Sequence, residues 1–561
     1  MSWLDWAVLT GTLAFTILYG LYRSRGSDTV DNYLLAGKSM PWYAMGLSIM
    51  ATQASAITVI STTGQAYVDG MRFVQFYLGL PIAMVILCAT VVPIFHRAKV
   101  FTAYEYLEQR FDGKTRTLAS IIFLLQRGLS AGIVIYAPAI VLSVIFGWPE
   151  RATTLITGLT VVGYTVAGGI KAVTWSDVQQ MYIIFLGLIV ALVTVFALLP
   201  GSVSVVDAMY LAGAGNRLNA ITTNFSWNDN FNIWSGLLGA TFLFLSYFGC
   251  DQSQVQRYLT GRSISESRLS LLFNAAAKIP MQFFILFIGA MVYVFYLFTP
   301  APLLFHGGEL KRIEGKSEFA GIQAGYVAAL DERRQAAVAF TAAREAGDSA
   351  AKKSSLGKYL QAEHEIDAAR QRASRLVEAS GGEKGFNDTN YIFLSFVTRY
   401  MPTGVVGLMI AVIILAAISS ASGEINSLAT VTVVDFYKRY WRREASDRHF
   451  LNASRWATLF WGAYCVGFAF FGGRLGSLIV AVNMIGSLFY GSLLGCFVVA
   501  FGFRRVGGNA VFTAMLVGEA VVLATAAWTE VSWLWYNVIG CVVVVVTALV
   551  VTSATRRPAT A

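Results

Sequence analysis

Apolar runs of about 20 residues recur from one end of this chain to the other, parted by short polar connections. A helix of about 20 apolar residues is long enough to cross a bilayer. The pattern predicts thirteen helices, over residues 4–22, 41–66, 72–95, 118–147, 151–169, 174–200, 232–256, 270–298, 404–437, 454–472, 477–503, 509–528 and 533–553. The fold class is therefore an all-α integral membrane protein, with the lipid bilayer as its first partner. One stretch breaks the rhythm. In residues 304–390, the segments 327–346 and 356–379 are rich in Ala, Glu, Gln, Lys and Arg, which predicts an antiparallel helical hairpin, or else a docking surface for a partner protein. The chain then divides into 1–303 with helices one to eight, the 304–390 insertion outside the membrane, and 391–561 with helices nine to thirteen.

Composition sharpens this picture. Of 561 residues, 56% are apolar and 13% charged, against about a quarter charged in soluble domains. That excludes a soluble enzyme, a secreted scaffold and a nucleic-acid binder. The net charge of +10 is topological rather than a nucleic-acid signal. Residues 304–388 hold 13 basic and 13 acidic residues, so the whole excess lies in the apolar body. The first run opens Ser2-Trp3-Leu4-Asp5-Trp6 with no basic residue ahead of it, and Arg23 and Arg25 follow. The expectation is a retained span with its N-terminus outside. On that register the short inner connections carry 21 Lys and Arg, including Arg25, Arg556 and Arg557. The short outer ones carry four: Arg72, Arg151, Arg217 and Arg474. This bias puts the C-terminus in the cytoplasm and the insertion outside, in a plasma or inner membrane.

The five cysteines lie in or beside apolar runs without CxxC spacing, and only four histidines exist. Neither a disulfide framework nor a zinc site is indicated. No nucleophile–base pair or cofactor loop appears, so an enzyme is not expected, nor an organic cofactor.

Polar groups inside a membrane are costly and mark pathways and sites. The second span carries Ser48, Thr52, Gln53, Ser55, Thr58 and Ser61 amid small residues. Such a run permits unwinding, because side chains can satisfy freed backbone groups, or else close helix packing. The seventh span repeats the theme at Ser246–Ser253, with a glycine, an acid and an amide. Two interrupted spans five helices apart fit the inverted-repeat transporter design. The ninth span brings Ser419, Ser420 and Ser422, where 419 and 422 share a face. Neutral hydroxyls there suit sodium, a hard cation, or a packing seam. Asp177 enters a long apolar helix as an N-terminal cap or a cation ligand.

Gly168–Gln179 (GGIKAVTWSDVQ) closely resembles the signature of the sodium/solute symporter family. Leu34–Gly70, Asp251–Gly261 (DQSQVQRYLTG) and Ala416–Ser427 (AAISSASGEINS) are similar to that family's landmarks, in the right order. The likeness covers nearly the whole chain apart from about 304–388. Gln252–Tyr258 (QSQVQRY) and Gly132–Gly147 resemble the branch carrying iodide, monocarboxylates and vitamins more than the sugar branch.

The resemblance implies a LeuT-type 5+5 inverted repeat from spans two to eleven, with one extra helix before and two after. It implies sodium-coupled symport by alternating access, with Na+ as coupling ion, a small-molecule substrate, and a monomer sufficient for transport. A sodium site would use carbonyls of Ala51, Ala54 and Ala416 and hydroxyls of Ser419 and Ser420. Some relatives hold a second sodium with an aspartate matching Asp177 and serines matching Ser419 and Ser422, but Gly423 stands where a further hydroxyl would be. Sugar-binding polar positions are replaced by Tyr77, Leu80 and Phe244, and Gln53 and Thr58 also differ from the sugar branch. Lys278 is kept, and Tyr247 matches an aromatic inner gate. The expected substrate contacts are Gln53, Thr58, Phe76, Tyr77, Phe244, Tyr247, Lys278 and Arg127, around a small organic anion. Lys278 and Arg127 could instead be structural, paired with carboxylates or carbonyls. An uncharged polyol or sugar, a sensor on the same fold, or a channel are the alternatives.

Overall fold

The computed structural model describes residues 1–23, 30–382 and 385–555. Arg25, Arg556 and Arg557 of the charge count lie outside the described residues, as does the side chain of Arg474. Among the described residues the regular elements are helices, with a single isolated bridge between Met40 and Gly261.

The first expected span is α1 (Trp3–Arg23). The second is divided into α2 (Trp42–Gln53) and α3 (Ala56–Asp69). A 3-10 stretch, Gly70–Leu78, leads to α4 (Gly79–Ala89) and α5 (Val91–Ala98). The fourth is α6 (Gly113–Phe146), started by Asp112, whose side chain accepts from the Thr115 amide.

The fifth and sixth expected spans form one unbroken helix, α7 (Glu150–Ala197). It is not straight. Tyr164 Oη lies 2.5 Å from Ser176 Oγ, whereas twelve residues of straight helix rise about 18 Å. The stretch is therefore sharply bent between Tyr164 and Ser176, where the sequence predicts a boundary.

The seventh expected span breaks at Cys250–Asp251 into α8 (Ala240–Gly249) and α9 (Gln252–Leu259). Asp251 caps the second piece, accepting from the Ser253 amide. Then come α10 (Ile264–Phe298), the insertion helices α11 (Phe319–Glu345) and α12 (Ser349–Ala379), and α13 (Thr389–Tyr400). α14 (Val405–Val431) continues as a π-helix over Thr432–Trp441, and α15 (Asp447–Ala469), α16 (Leu478–Gly502), α17 (Gly508–Trp528) and α18 (Trp533–Thr555) complete the chain. Eight stretches among the described residues are long and apolar enough to cross a membrane. The seventh expected span contributes only a shorter apolar helix, Ser235–Gly249, because of its break.

Glycines let the broken span pack closely. A Cβ on Gly289 of α10 would come within 2.2 Å of the Thr63 carbonyl oxygen, and one on Gly64 within 2.0 Å of that of Thr389. α3 is thus held between α10 and α13 by backbone contact, the small-residue packing that apolar surroundings favour.

The insertion folds as the expected hairpin, turning at Gly347 with φ +71°. Ile322, Tyr326 and Ala329 pack against Ile366, Ala369 and Ala373 in a small core of their own. The hairpin seats on the end of α10: Arg333 Nη2 donates to the Tyr296 carbonyl at 3.1 Å, and Tyr326 Oη to that of Pro302 at 3.0 Å. Glu363 accepts from Arg333 at 2.7 Å and Arg217 at 2.8 Å. Burial alone would raise its carboxyl, but the two guanidiniums hold it below the usual carboxylate range.

Candidate functional site

The break in the second span organises the site. α2 ends where the Ala54 amide donates to the Met50 carbonyl at 2.8 Å, and Ser55 continues in extended backbone with ψ 172°. Neighbouring hydroxyls take up the freed carbonyls. Thr58 Oγ1 donates to Gln53 O at 2.7 Å, and Ser420 Oγ on α14 reaches Thr52 O at 3.1 Å and Ala51 O at 3.4 Å. Ala51 and Ser420 are therefore adjacent, with Ala54 at the break and Ala416 buried one helical turn from Ser420. The adjacent Ser419 is bonded differently. It donates to Asp177, which also accepts from Ser48 at 2.5 Å. Ser422 Oγ is buried and finds no partner among the described residues. Hydroxyl and carbonyl oxygens converging on an unwound backbone make a donor set suited to a hard cation.

Beside the break lies a cavity of about 90 Å³, lined by Gln53, Thr58, Phe76, Tyr77, Arg127, Phe244 and Tyr247 among the expected contacts. One wall is aromatic, with ring centroids 5.0 Å apart for Phe76 and Phe244 and 5.9 Å for Tyr77 and Phe244. Lys278 departs from the expectation. It is fully buried but does not line this cavity, and its Nζ sits 5.8 Å from the centroid of the Tyr77 ring. The lining position belongs to the tyrosine.

Arg127 is tied up. Its Nη1 donates to Glu424 Oε1 at 3.0 Å, and its Nη2 donates to Asp251 and, at 2.7 Å, to Tyr490 Oη. Tyr490 in turn donates to Asp251 Oδ2 at 2.9 Å. Only Arg127 Nε remains without a partner among the described residues. The network joins α6, Asp251 at the second break, α14 and α16. Arg72 pairs elsewhere, with Asp69 at 2.9 Å and Asp229 at 3.0 Å. Glu424, Asn483 and Tyr490 also line the cavity. None of the three stands among the expected contacts, although an acid inside an apolar helix is a visible signal for Glu424.

The model of the sodium:solute symporter family matches residues 33–315 and 373–518. The chain belongs to that family. The unmatched stretch between the two segments, 316–372, overlaps most of the hairpin. The chain is 28% identical over 480 residues to human sodium-coupled monocarboxylate transporter 1, covering 85% of this chain and 65% of that protein's length. It is 32% identical over 277 residues to the human sodium/iodide cotransporter, covering 49% of this chain and 42% of that one. It is 25% identical over 552 residues to the sodium/sialic acid symporter SiaT of Proteus mirabilis, covering 97% and 94%. A solved Na+-coupled sialic acid symporter, substrate-bound and outward-open, superposes with a TM-score of 0.76 at 24% identity, over 99% of this chain and 98% of that one. The chain has the LeuT-type fold of that structure.

Proposed function

We propose that this protein takes up a small organic anion of the monocarboxylate class together with sodium, by alternating access. The observation carrying this reading is the small cavity beside the broken second span, aromatic on one wall and polar at Gln53, Thr58 and Arg127. Its volume of about 90 Å³ suits a solute of a few carbon atoms, since sites for drug-sized ligands run to about 300–1,000 Å³. Relatives named for monocarboxylates, vitamins and iodide support an anionic cargo.

Sodium binds among the carbonyls of Ala51, Ala54 and Ala416 and the hydroxyls of Ser419 and Ser420, joining the break to α14. Gln53 and Thr58 orient the carboxylate, while Phe76, Tyr77 and Phe244 cover the carbon chain. Tyr247, whose hydroxyl accepts from Gln254 at 2.8 Å, closes the inner path. The thirteen-helix count, the N-terminus outside and the hairpin of 304–390 outside complete the topology.

One charge crossing 100 mV supplies about 2.3 kcal/mol, and a tenfold sodium gradient about 1.4 kcal/mol. With one sodium, a monoanion moves without net charge and accumulates about tenfold on that gradient, whereas a neutral solute uses both terms and reaches about 500-fold. A second reading, an uncharged polyol, has one observation in its favour: Asp251 and Glu424 already neutralise Arg127.

The test is uptake of labelled lactate, pyruvate, pantothenate and a polyol into proteoliposomes with and without a sodium gradient. Sodium-dependent accumulation of a monocarboxylate is the expected result. Accumulation of the polyol alone would replace the first reading with the second.

A further inference from the structure

Arg257 stands on α9, just past the break in the seventh expected span, and is fully buried. Its Nε, Nη1 and Nη2 find no hydrogen-bond partner among the described residues. Its Nη2 lies 3.9 Å from Asp177 Oδ2. A buried guanidinium without hydrogen bonds is expensive. It is tolerated where a buried carboxylate offsets its charge, and Asp177, also fully buried, fills that role.

Gly423 explains how the guanidinium fits. A Cβ there would come within 2.2 Å of Arg257 Nη2 and 3.1 Å of its Cζ. Serine at 423 would add a hydroxyl beside Ser419 and Ser422, but it would also push Arg257 away from Asp177. The absence of that hydroxyl and the presence of the guanidinium are one packing solution. Ser422 Oγ, one residue before Gly423, lacks a partner among the described residues as well, so the arginine beside Asp177 forms no hydrogen bond to the serines of this turn.

We propose that Arg257 is the resident counter-cation of Asp177, standing where a second sodium would otherwise bind, so that this chain binds one sodium per transport cycle. The inference rests on the sodium-coupled reading above. Asp177 and Arg257 are neutral together, and a sodium added between them would leave a net positive charge sealed from water, which a low-dielectric interior disfavours. Arg257 is a positioning residue. It balances Asp177, which holds Ser419, the neighbour of the serine that reaches the broken span.

The deciding experiment counts radiolabelled sodium bound at saturation by the purified full chain, alongside the Hill coefficient of sodium-induced thermal stabilisation. Wild type is expected to bind one sodium with a coefficient of one. Arg257→Met combined with Gly423→Ser is expected to bind two, with a coefficient rising toward two. Gly423→Ser alone keeps the arginine but displaces it, and is expected to move the count the same way if the double variant does not fold. Two sodium ions on wild type would overturn the proposal and leave sodium coupling intact. No sodium on wild type would overturn both. One sodium on wild type and on the folded variants alike would overturn the role of Arg257.

Discussion

Ser420 Oγ lies 3.1 Å from the carbonyl oxygen of Thr52, across the gap where the second span loses its helical bonding. The same hydroxyl reaches the Ala51 carbonyl at 3.4 Å, one of the oxygens that the proposed sodium site would need, so a cation bound there would compete with the Ser420 hydrogen bond. Ser420→Ala is expected to weaken sodium binding about tenfold, since one polar contact is worth about 1–1.5 kcal/mol. The sodium dependence of thermal stability measures this directly, and an unchanged half-saturation would remove Ser420 from the site.

Arg127 sits between two buried carboxylates, Asp251 and Glu424. Removing one member of such a cluster leaves uncompensated charge, which costs about 3–5 kcal/mol. Arg127→Gln is therefore expected to destabilise the protein strongly, and Arg127→Gln with Glu424→Gln to recover part of the loss. A double-mutant cycle on melting temperature reads the coupling. Additive losses would mean that the pair does not act as a unit.

Much of this was legible in the chain because membrane helices announce themselves by length and apolarity. The break at Ala54–Ser55 was visible because Thr52, Gln53, Ser55 and Thr58 can bond to freed carbonyls. The partners of Arg127 were not, since Asp251 and Glu424 lie 124 and 297 residues away and only the folded bundle joins them. Lys278 has a side chain whose type suits an anion, and only the folded bundle shows that it stands behind Tyr77 rather than in the cavity lining. Gly423 was noticed as a missing hydroxyl, and its meaning needed the position of Arg257.

At the base of the hairpin, His306 Nε2 lies 3.8 Å from Glu150 Oε1, and its ring centroid is 4.4 Å from that of Tyr391. Burial pulls the imidazole pKa down, but the Glu150 carboxylate beside it outweighs burial and holds the pKa above the ordinary value. A raised pKa means that the stabilisation is fully present below about pH 6.5 and is lost as pH rises through the folded value. The contact is partly exposed, so it is worth under about 1 kcal/mol. Wild type is expected to lose more thermal stability than His306→Gln between pH 6 and pH 8. Parallel curves at constant salt would show that the pair carries no pH dependence.

Glu363 links the hairpin to the broken span. It accepts from Arg333 of α11 and from Arg217, and the Arg217 carbonyl accepts from the Met71 amide at 3.0 Å, just beyond the end of α3. Glu363→Gln would leave two largely buried guanidiniums without their shared counter-charge, a far larger loss than an exposed ion pair brings. The hairpin is then expected to open more often, with proteolysis at its 346–348 turn accelerating by roughly tenfold or more, the factor that about 1.4 kcal/mol produces. Because the Glu363 pKa is depressed, its contribution is present above the ordinary glutamate value and is lost as pH falls through the folded one. Acidified wild type should therefore approach the Glu363→Gln cleavage rate, with an acid-stable protease as the probe. Glu363→Asp, which keeps the charge, should restore part of the protection, whereas equal cleavage of all three proteins at neutral pH would mean that the hairpin is held by its apolar core alone.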